Sequence, residues 1–221
     1  MDIKERYSRQ SLLVPEKIIQ LPISIIGCGA IGRNVALQLI SIGAETLDLY
    51  DFDIVEESNI ASQGFLESQL GMTKVRAVKD SCLNINAAAL IAIHEERFVK
   101  SNQLQEVVFC CVDTMEGRKL ISNAAKRQQK SFFIDGRMSG ETARILSFNP
   151  SNEKDYDYYN STLLSDEQAH TGTCTAKSTI YCSNIISGFM ISVLTKRLKE
   201  MDPDIDKDFM IDINNREIFP R

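Results

Sequence analysis

Residues 22–53 constrain the fold more than any other stretch of this chain. A short apolar run, residues 22–26, leads directly into Gly27-Cys28-Gly29-Ala30-Ile31-Gly32. This reads as a strand and then a tight turn, because closely spaced glycines allow backbone approaches that side chains forbid. Beyond the turn, Ile31, Val35, Ala36, Leu39 and Ile40 recur at helical spacing, and Gly43 stands where a helix would stop. Residues 47–51 then alternate as a second strand that ends in Asp51-Phe52-Asp53. Strand, helix and strand make a βαβ unit, whose crossover should be right-handed.

The alternation continues downstream. Residues 73–85 have helical periodicity, 90–93 read as a strand, and 107–112 form an almost unbroken apolar strand of the kind buried in parallel sheets. A helix over 118–129 and strands over 131–134 and 141–148 follow. The order implies an α/β fold: a Rossmann-like, mostly parallel sheet with helices on both faces. Residues 149–173 carry Tyr156, Tyr158 and Tyr159 among many polar residues with little periodicity, and read as a mobile surface loop. The tyrosines there are either a docking surface or packing for a long excursion. Residues 180–198 return to helical spacing with Ile185, Phe189, Val193 and Leu198 on the expected buried side, and 212–219 read as a last edge strand. At 221 residues the chain is expected to be one domain, 1–221, rather than two.

Composition removes several classes of function. Twenty-five Lys and Arg against 30 Asp and Glu give a net charge of −5 with no long basic run, which argues against a grip on nucleic-acid phosphate. The longest apolar runs, residues 87–93 and 107–112, fall short of the roughly 18–20 residues that span a bilayer, and residues 1–6 hold no apolar signal core. A cytoplasmic protein without membrane association is the expectation. Six cysteines (Cys28, Cys82, Cys110, Cys111, Cys174 and Cys182) are then reduced thiols, with no Cys-x-x-Cys pair and only His94 and His170 to complete a zinc site.

The Gly-x-Gly-x-x-Gly turn opens a helix whose free N–H groups and positive dipole end favour a phosphate. Asp53 lies 21 residues beyond Gly32, where a carboxylate accepts hydrogen bonds from ribose hydroxyls. Nucleotide binding follows, and on this evidence alone an NAD-dependent oxidoreductase leads. Other residues argue against it. Arg6-Tyr7-Ser8-Arg9-Gln10 precedes the first strand. After the second come D-x-D-x-V-x-x-x-N-x-x-x-Q over residues 51–63 and Gly71-Met72-Thr73-Lys74. Further on, Asp113 follows Val112, with Arg118 five residues later. Hydride transfer requires none of these.

Together these elements resemble the ThiF-type adenylating family, which includes ubiquitin-activating enzymes and bacterial adenylyltransferases acting on small sulfur-carrier proteins. The resemblance runs from about residue 6 to about residue 198. It implies ATP-dependent adenylation of the C-terminal glycine of a ubiquitin-like or sulfur-carrier protein. In that scheme Gly27, Gly29 and Gly32 let the chain run close to the phosphates, Asp53 takes the ribose, and Asn59, Gln63 and Lys74 complete the nucleotide site. Asp113 binds Mg²⁺. Arg9 matches an arginine that enters the neighbouring subunit's site, which implies a homodimer. The segment 149–173 becomes a crossover loop over the substrate's C-terminus.

One position departs from the pattern. The family carries an arginine on the polyphosphate where this chain has Ser62. Arg33 or Arg76 would have to replace it, or catalysis is weaker, or the chain is a non-catalytic partner. Cys174-Thr175-Ala176-Lys177 is similar to the stretch around the thioester-forming cysteine of ubiquitin-activating enzymes. A helix entrance and a nearby lysine both favour the thiolate, so Cys174 is expected to take the acyl group, with a conjugating enzyme as the candidate recipient. His170, four residues before it, is either a base for that thiol or a solvated loop histidine. Cys110 and Cys111 read as core residues, Cys28 as a filler of the glycine turn, and Cys182 as part of the last helix.

Overall fold

The computed structural model describes residues 3–163, 179–200 and 207–220. Five parallel strands form most of one eight-stranded sheet: β1 (Ile23–Ile26), β2 (Thr46–Tyr50), β3 (Leu90–His94), β4 (Val107–Cys110) and β5 (Phe132–Ser139). Three antiparallel strands, β6 (Thr142–Phe148), β7 (Asp208–Asp212) and β8 (Glu217–Pro220), extend it beyond β5. The spatial order is β3-β2-β1-β4-β5-β6-β7-β8, so the strands are laid down outward on one side of β1 and then on the other, and the order switches between the parallel neighbours β1 and β4. That switch point is where open α/β sheets bind ligands.

Helices cover both faces. On one lie α2 (Ala30–Ile42), α4 (Lys74–Ile85) and α7 (Ile180–Leu198); on the other lie α5 (Met115–Arg127) and α6 (Glu153–Ser161). Short helices α1 (Ile3–Tyr7) and α3 (Glu57–Gln63) sit at the start of the chain and after β2. The period of two in the strands divides the core. Ile23, Ile25, Val107 and Phe109 pack with α2, α4 and α7, whereas Ile26, Val108 and Cys110 pack with α5 and α6. Both β1 and β4 are buried throughout, as central parallel strands should be.

Three expectations are corrected. Within 149–173, residues 153–161 form α6. Asn152 caps it by accepting the Asp155 N–H at 3.3 Å, and Tyr156 and Tyr159, three residues apart, pack on Phe148 and Phe133. Two of the three tyrosines are therefore packing, and their anchoring positions lie too close together to register as periodicity among polar neighbours. The buried face of α7 is also wider than expected and displaced at one position. Val193 is buried and Phe189 and Leu198 pack half-buried on the core as expected, but Ile185 is 37% exposed, and Cys182, Ile186, Met190 and Leu194 are buried as well. The cause is a polar seam: Asn34 and Gln38 of α2 donate to the hydroxyls of Ser183 and Ser187 at 3.2 and 2.7 Å. Hydrophobic spacing cannot show buried serines of this kind. Last, residues 212–219 are not one strand. Asn215 folds back on the Asp212 carboxylate and Arg216 takes φ 59°, so β7 turns into β8.

Among the described residues no helix is long and apolar enough to cross a membrane. Tyr159 tests the second core. Its ring is buried against Phe133 and Phe148, and its hydroxyl donates to Asp135 at 3.1 Å. Tyr159→Ala should lower unfolding free energy by about 3–5 kcal/mol in urea titration. Tyr159→Phe, which removes the hydroxyl alone, should cost about 1–3 kcal/mol.

Candidate functional site

The glycine turn is fixed by backbone contact. Gly27 has φ +91°, and a Cβ there would sit 2.7 Å from the Cys111 carbonyl oxygen. A Cβ on Gly32 would sit 1.8 Å from the Gly27 carbonyl oxygen, so neither position tolerates a side chain. The Gly27 N–H donates to Tyr50 O and the Cys111 N–H to Ile26 O, both at 2.8 Å, which binds the ends of β1, β2 and β4 together.

Asp51 secures this turn. Its Oδ2 accepts the Cys28 N–H at 2.6 Å and its Oδ1 accepts the Asp53 N–H at 2.9 Å. Burial raises the carboxyl above its ordinary range, and the two backbone bonds bring it part of the way back. The sequence pattern points to Asp53 alone, and the doubled acid of Asp51-Phe52-Asp53 is its only sign of this second carboxylate.

Asp53 is half-exposed at the mouth of the site, with Oδ2 2.8 Å from Lys74 Nζ. The two backbones are tied as well, since the Lys74 N–H donates to Asp53 O at 2.9 Å. The residues expected on ribose and phosphate are thus paired with each other. The ammonium has further donors beyond this bond, and the carboxylate has a second oxygen.

Asn59 proves more structural than expected. Its Oδ1 accepts the Glu56 N–H at 2.9 Å in a capping box that starts α3, which leaves only the amide nitrogen, 3.5 Å from Ser58 Oγ. Ser62 bonds back into the same helix, its hydroxyl 2.7 Å from Ser58 O. Gln63 points its side chain at the glycine turn: a Cβ on Gly29 would lie 3.5 Å from Gln63 Oε1, which is buried without a hydrogen-bond partner.

Across the switch point, Asp113 is exposed in the link from β4 to α5. Thr114 caps α5 by accepting the Gly117 N–H at 3.1 Å. Behind it lies a buried ionic knot that the sequence did not reveal. Arg118 Nε and Arg137 Nε donate to the two oxygens of the fully buried Asp135, at 3.0 and 2.7 Å. Burial by itself would lower the basicity of Arg118, and Asp135 more than reverses this. Arg118 thus anchors α5 to β5 and stays behind the site.

Arg9 is exposed on the far side of α2. Tyr7 packs on Gly43, and Gln10 Nε2 donates to Ile42 O at 2.9 Å. The thirteen residues of α2 put about 20 Å between this end and the glycine turn, so Arg9 does not join its own chain's site. Cys174 and His170 lie outside the described residues. Burial raises the thiols of Cys28, Cys82, Cys110 and Cys111, that of Cys82 to about 12, so these four are packing groups. Among the described residues no three His, Cys, Asp or Glu side chains cluster to hold a metal. A single carboxylate with phosphate oxygens is nevertheless a common way of holding Mg²⁺, and Asp113 fits that pattern.

Residues 7–218 match the ThiF family. The chain belongs to that family. Its relatives include the "Probable adenylyltransferase/sulfurtransferase MoeZ" of Mycobacterium tuberculosis, 29% identical over 133 residues, covering 54% of this chain and 34% of MoeZ. The adenylyltransferase and sulfurtransferase MOCS3 of Xenopus laevis is 31% identical, covering 53% of this chain and 29% of its own length. The ubiquitin-like modifier-activating enzyme 5 of Caenorhabditis elegans is 24% identical, covering 55% and 33%. The chain thus spans about a third of the length of these relatives. Among solved structures, PaaA superposes with a TM-score of 0.77 at 19% identity, covering 99% of this chain and 72% of that one. Escherichia coli MccB with ATP gives 0.75 at 16%, covering 98% and 70%. These two establish a shared fold.

Asp51→Ala would leave the Cys28 and Asp53 N–H groups without their acceptor. We expect a loss of about 1–3 kcal/mol in urea titration; an unchanged midpoint would show that the turn holds without its carboxylate.

Proposed function

We propose that this ThiF-family chain is an ATP-dependent adenylyltransferase that activates the C-terminal glycine of a ubiquitin-like or sulfur-carrier protein. The observation that carries the reading is the meeting, at one switch point, of a turn that admits no side chain, the Asp53–Lys74 pair and the exposed carboxylate of Asp113. The glycine turn offers backbone N–H groups at a helix N-terminus to phosphate. Asp53, held by Lys74, presents its remaining oxygen to the ribose, and the spare donors of Lys74 face the phosphates. Asp113 would hold Mg²⁺, which when bound neutralises charge on the leaving pyrophosphate.

The substrate carboxylate attacks the α-phosphorus in line. One oxygen–phosphorus bond forms as the bond to the β-phosphate bridge breaks, giving acyl-adenylate and pyrophosphate. Cys174 then attacks the acyl carbon, releasing AMP, and the thioester is available to a conjugating enzyme. Arg9 supports a homodimer, since an exposed arginine about 20 Å from its own site could act only on a second copy. Since residues 153–161 are committed to α6, a crossover over the substrate tail would fall to the residues that follow it, and the reduced thiols suit the cytoplasm.

Relatives support this reading by name: adenylyltransferases and a ubiquitin-like modifier-activating enzyme are among them, and MccB has been crystallised with ATP and with MccA. A dinucleotide oxidoreductase leaves Arg9, Lys74 and Asp113 without a role. A non-catalytic partner is favoured only by Ser62, whose hydroxyl is spent on α3.

Intact mass after mixing the protein with ATP, Mg²⁺ and a candidate carrier tests both steps. Adenylated carrier should appear with wild type and Cys174→Ala and disappear with Asp113→Ala, and an enzyme-linked carrier should appear with wild type alone. A carrier that binds yet is never adenylated would point to the non-catalytic reading.

A further inference from the structure

A buried cation without a counter-charge lies between the start of α2 and the turn that ends α3. Arg33 lies in the first turns of α2, and its N–H donates to Gly29 O at 3.0 Å. The residue is only 9% exposed, its Nε has no hydrogen-bond partner, and no ion pair engages it among the described residues. Its guanidinium lies against the turn that ends α3: a Cβ on Gly64 would be 3.0 Å from Nη1, and the Phe65 ring centroid is 5.4 Å away. Burial lowers its basicity with no carboxylate to offset the loss.

The neighbouring cations differ in this respect. Lys74 is paired with Asp53 at 2.8 Å and Arg76 with Glu95 at 3.1 Å. Gln63, immediately before Gly64, carries the other orphan, its buried Oε1 beside Gly29. The two unsatisfied polar groups therefore sit at consecutive residues of the turn that ends α3: Gln63 reaches Gly29 of the phosphate-binding turn, and the Arg33 guanidinium, carried one helical turn beyond Gly29 on α2, lies against Gly64. Burying a cation unpaired is costly, and a site that does so is completed by an anion. An arginine offers the fork of donors that phosphate oxygens match.

We propose that Arg33, positioned by the turn at Gln63 and Gly64, binds the polyphosphate of the nucleotide and is the cation that α3, with serine at position 62, does not provide. The proposal rests on the nucleotide reading above and adds to it a residue and a specificity: Arg33 separates ATP from AMP. Gln63 acts as a positioning residue, its amide turning to bond the guanidinium or the ligand once the anion is in place.

The test compares ATP, inorganic pyrophosphate and AMP by calorimetric titration against wild type, Arg33→Met and Arg33→Lys. Arg33→Met should melt at or above the wild-type temperature without ligand, since it removes an unpaired buried charge. It should bind ATP and pyrophosphate at least tenfold more weakly and AMP within twofold of wild type. Arg33→Lys should recover part of the ATP affinity. Equal losses for ATP and AMP would make Arg33 a packing element of the turn and overturn the proposal, as would undiminished ATP binding. Arg33→Gln, which keeps a polar head, is read in the same way if Arg33→Met does not fold. Wild type that binds neither ATP nor AMP would instead defeat the nucleotide reading itself.

Discussion

The hydrogen bond from the Cys28 N–H to the Asp51 carboxylate, 2.6 Å long, joins the two halves of the site. It fixes the glycine turn to the end of β2. The close passage of Gly27 under Cys111 fixes the same turn to the end of β4. Strand ends that would otherwise fray at a switch point are held as one surface, and everything proposed for the nucleotide depends on that surface being formed before ligand arrives. The arrangement costs something: a carboxylate is buried with its acidity weakened, and two glycines are committed to positions where no side chain fits.

Around this point the charges divide into those that build and those that wait. Asp135 with Arg118 and Arg137 is a closed knot: both guanidiniums bond the one carboxylate, and their remaining donors go to Gly136 O and to Thr162. Asp53 is half-open to solvent and is compensated by the buried Lys74, whose ammonium keeps further donors for a ligand. Arg33 is buried and uncompensated. A structural role would favour the first condition, and binding favours the other two.

Much of this was legible in the sequence because it is local or repetitive. The βαβ unit, the buried strands β1 and β4 and the start and end of α7 follow from hydrophobic period and glycine placement, which act over a few residues. Hidden features rest on long-range partners. The serines of α7 are buried because Asn34 and Gln38 meet them, some 149 positions away in each case. Arg118 belongs to the motif that carries Asp113, yet Asp135, 17 residues on, holds it behind the site. Asn59 looked like a ligand for phosphate, and capping of α3 takes its oxygen. For the α7 serines and Arg118 the partner comes from tertiary contact, which spacing does not encode.

The central claim is that the surface around Asp51 serves reversible transfer of an adenylyl group to a protein carboxylate. Exchange of labelled pyrophosphate into ATP measures that directly. The account predicts exchange that requires both Mg²⁺ and a carrier with a free C-terminal glycine carboxylate, and that vanishes when the carboxylate is amidated. ATP binding with no exchange for any carrier the protein binds would contradict it.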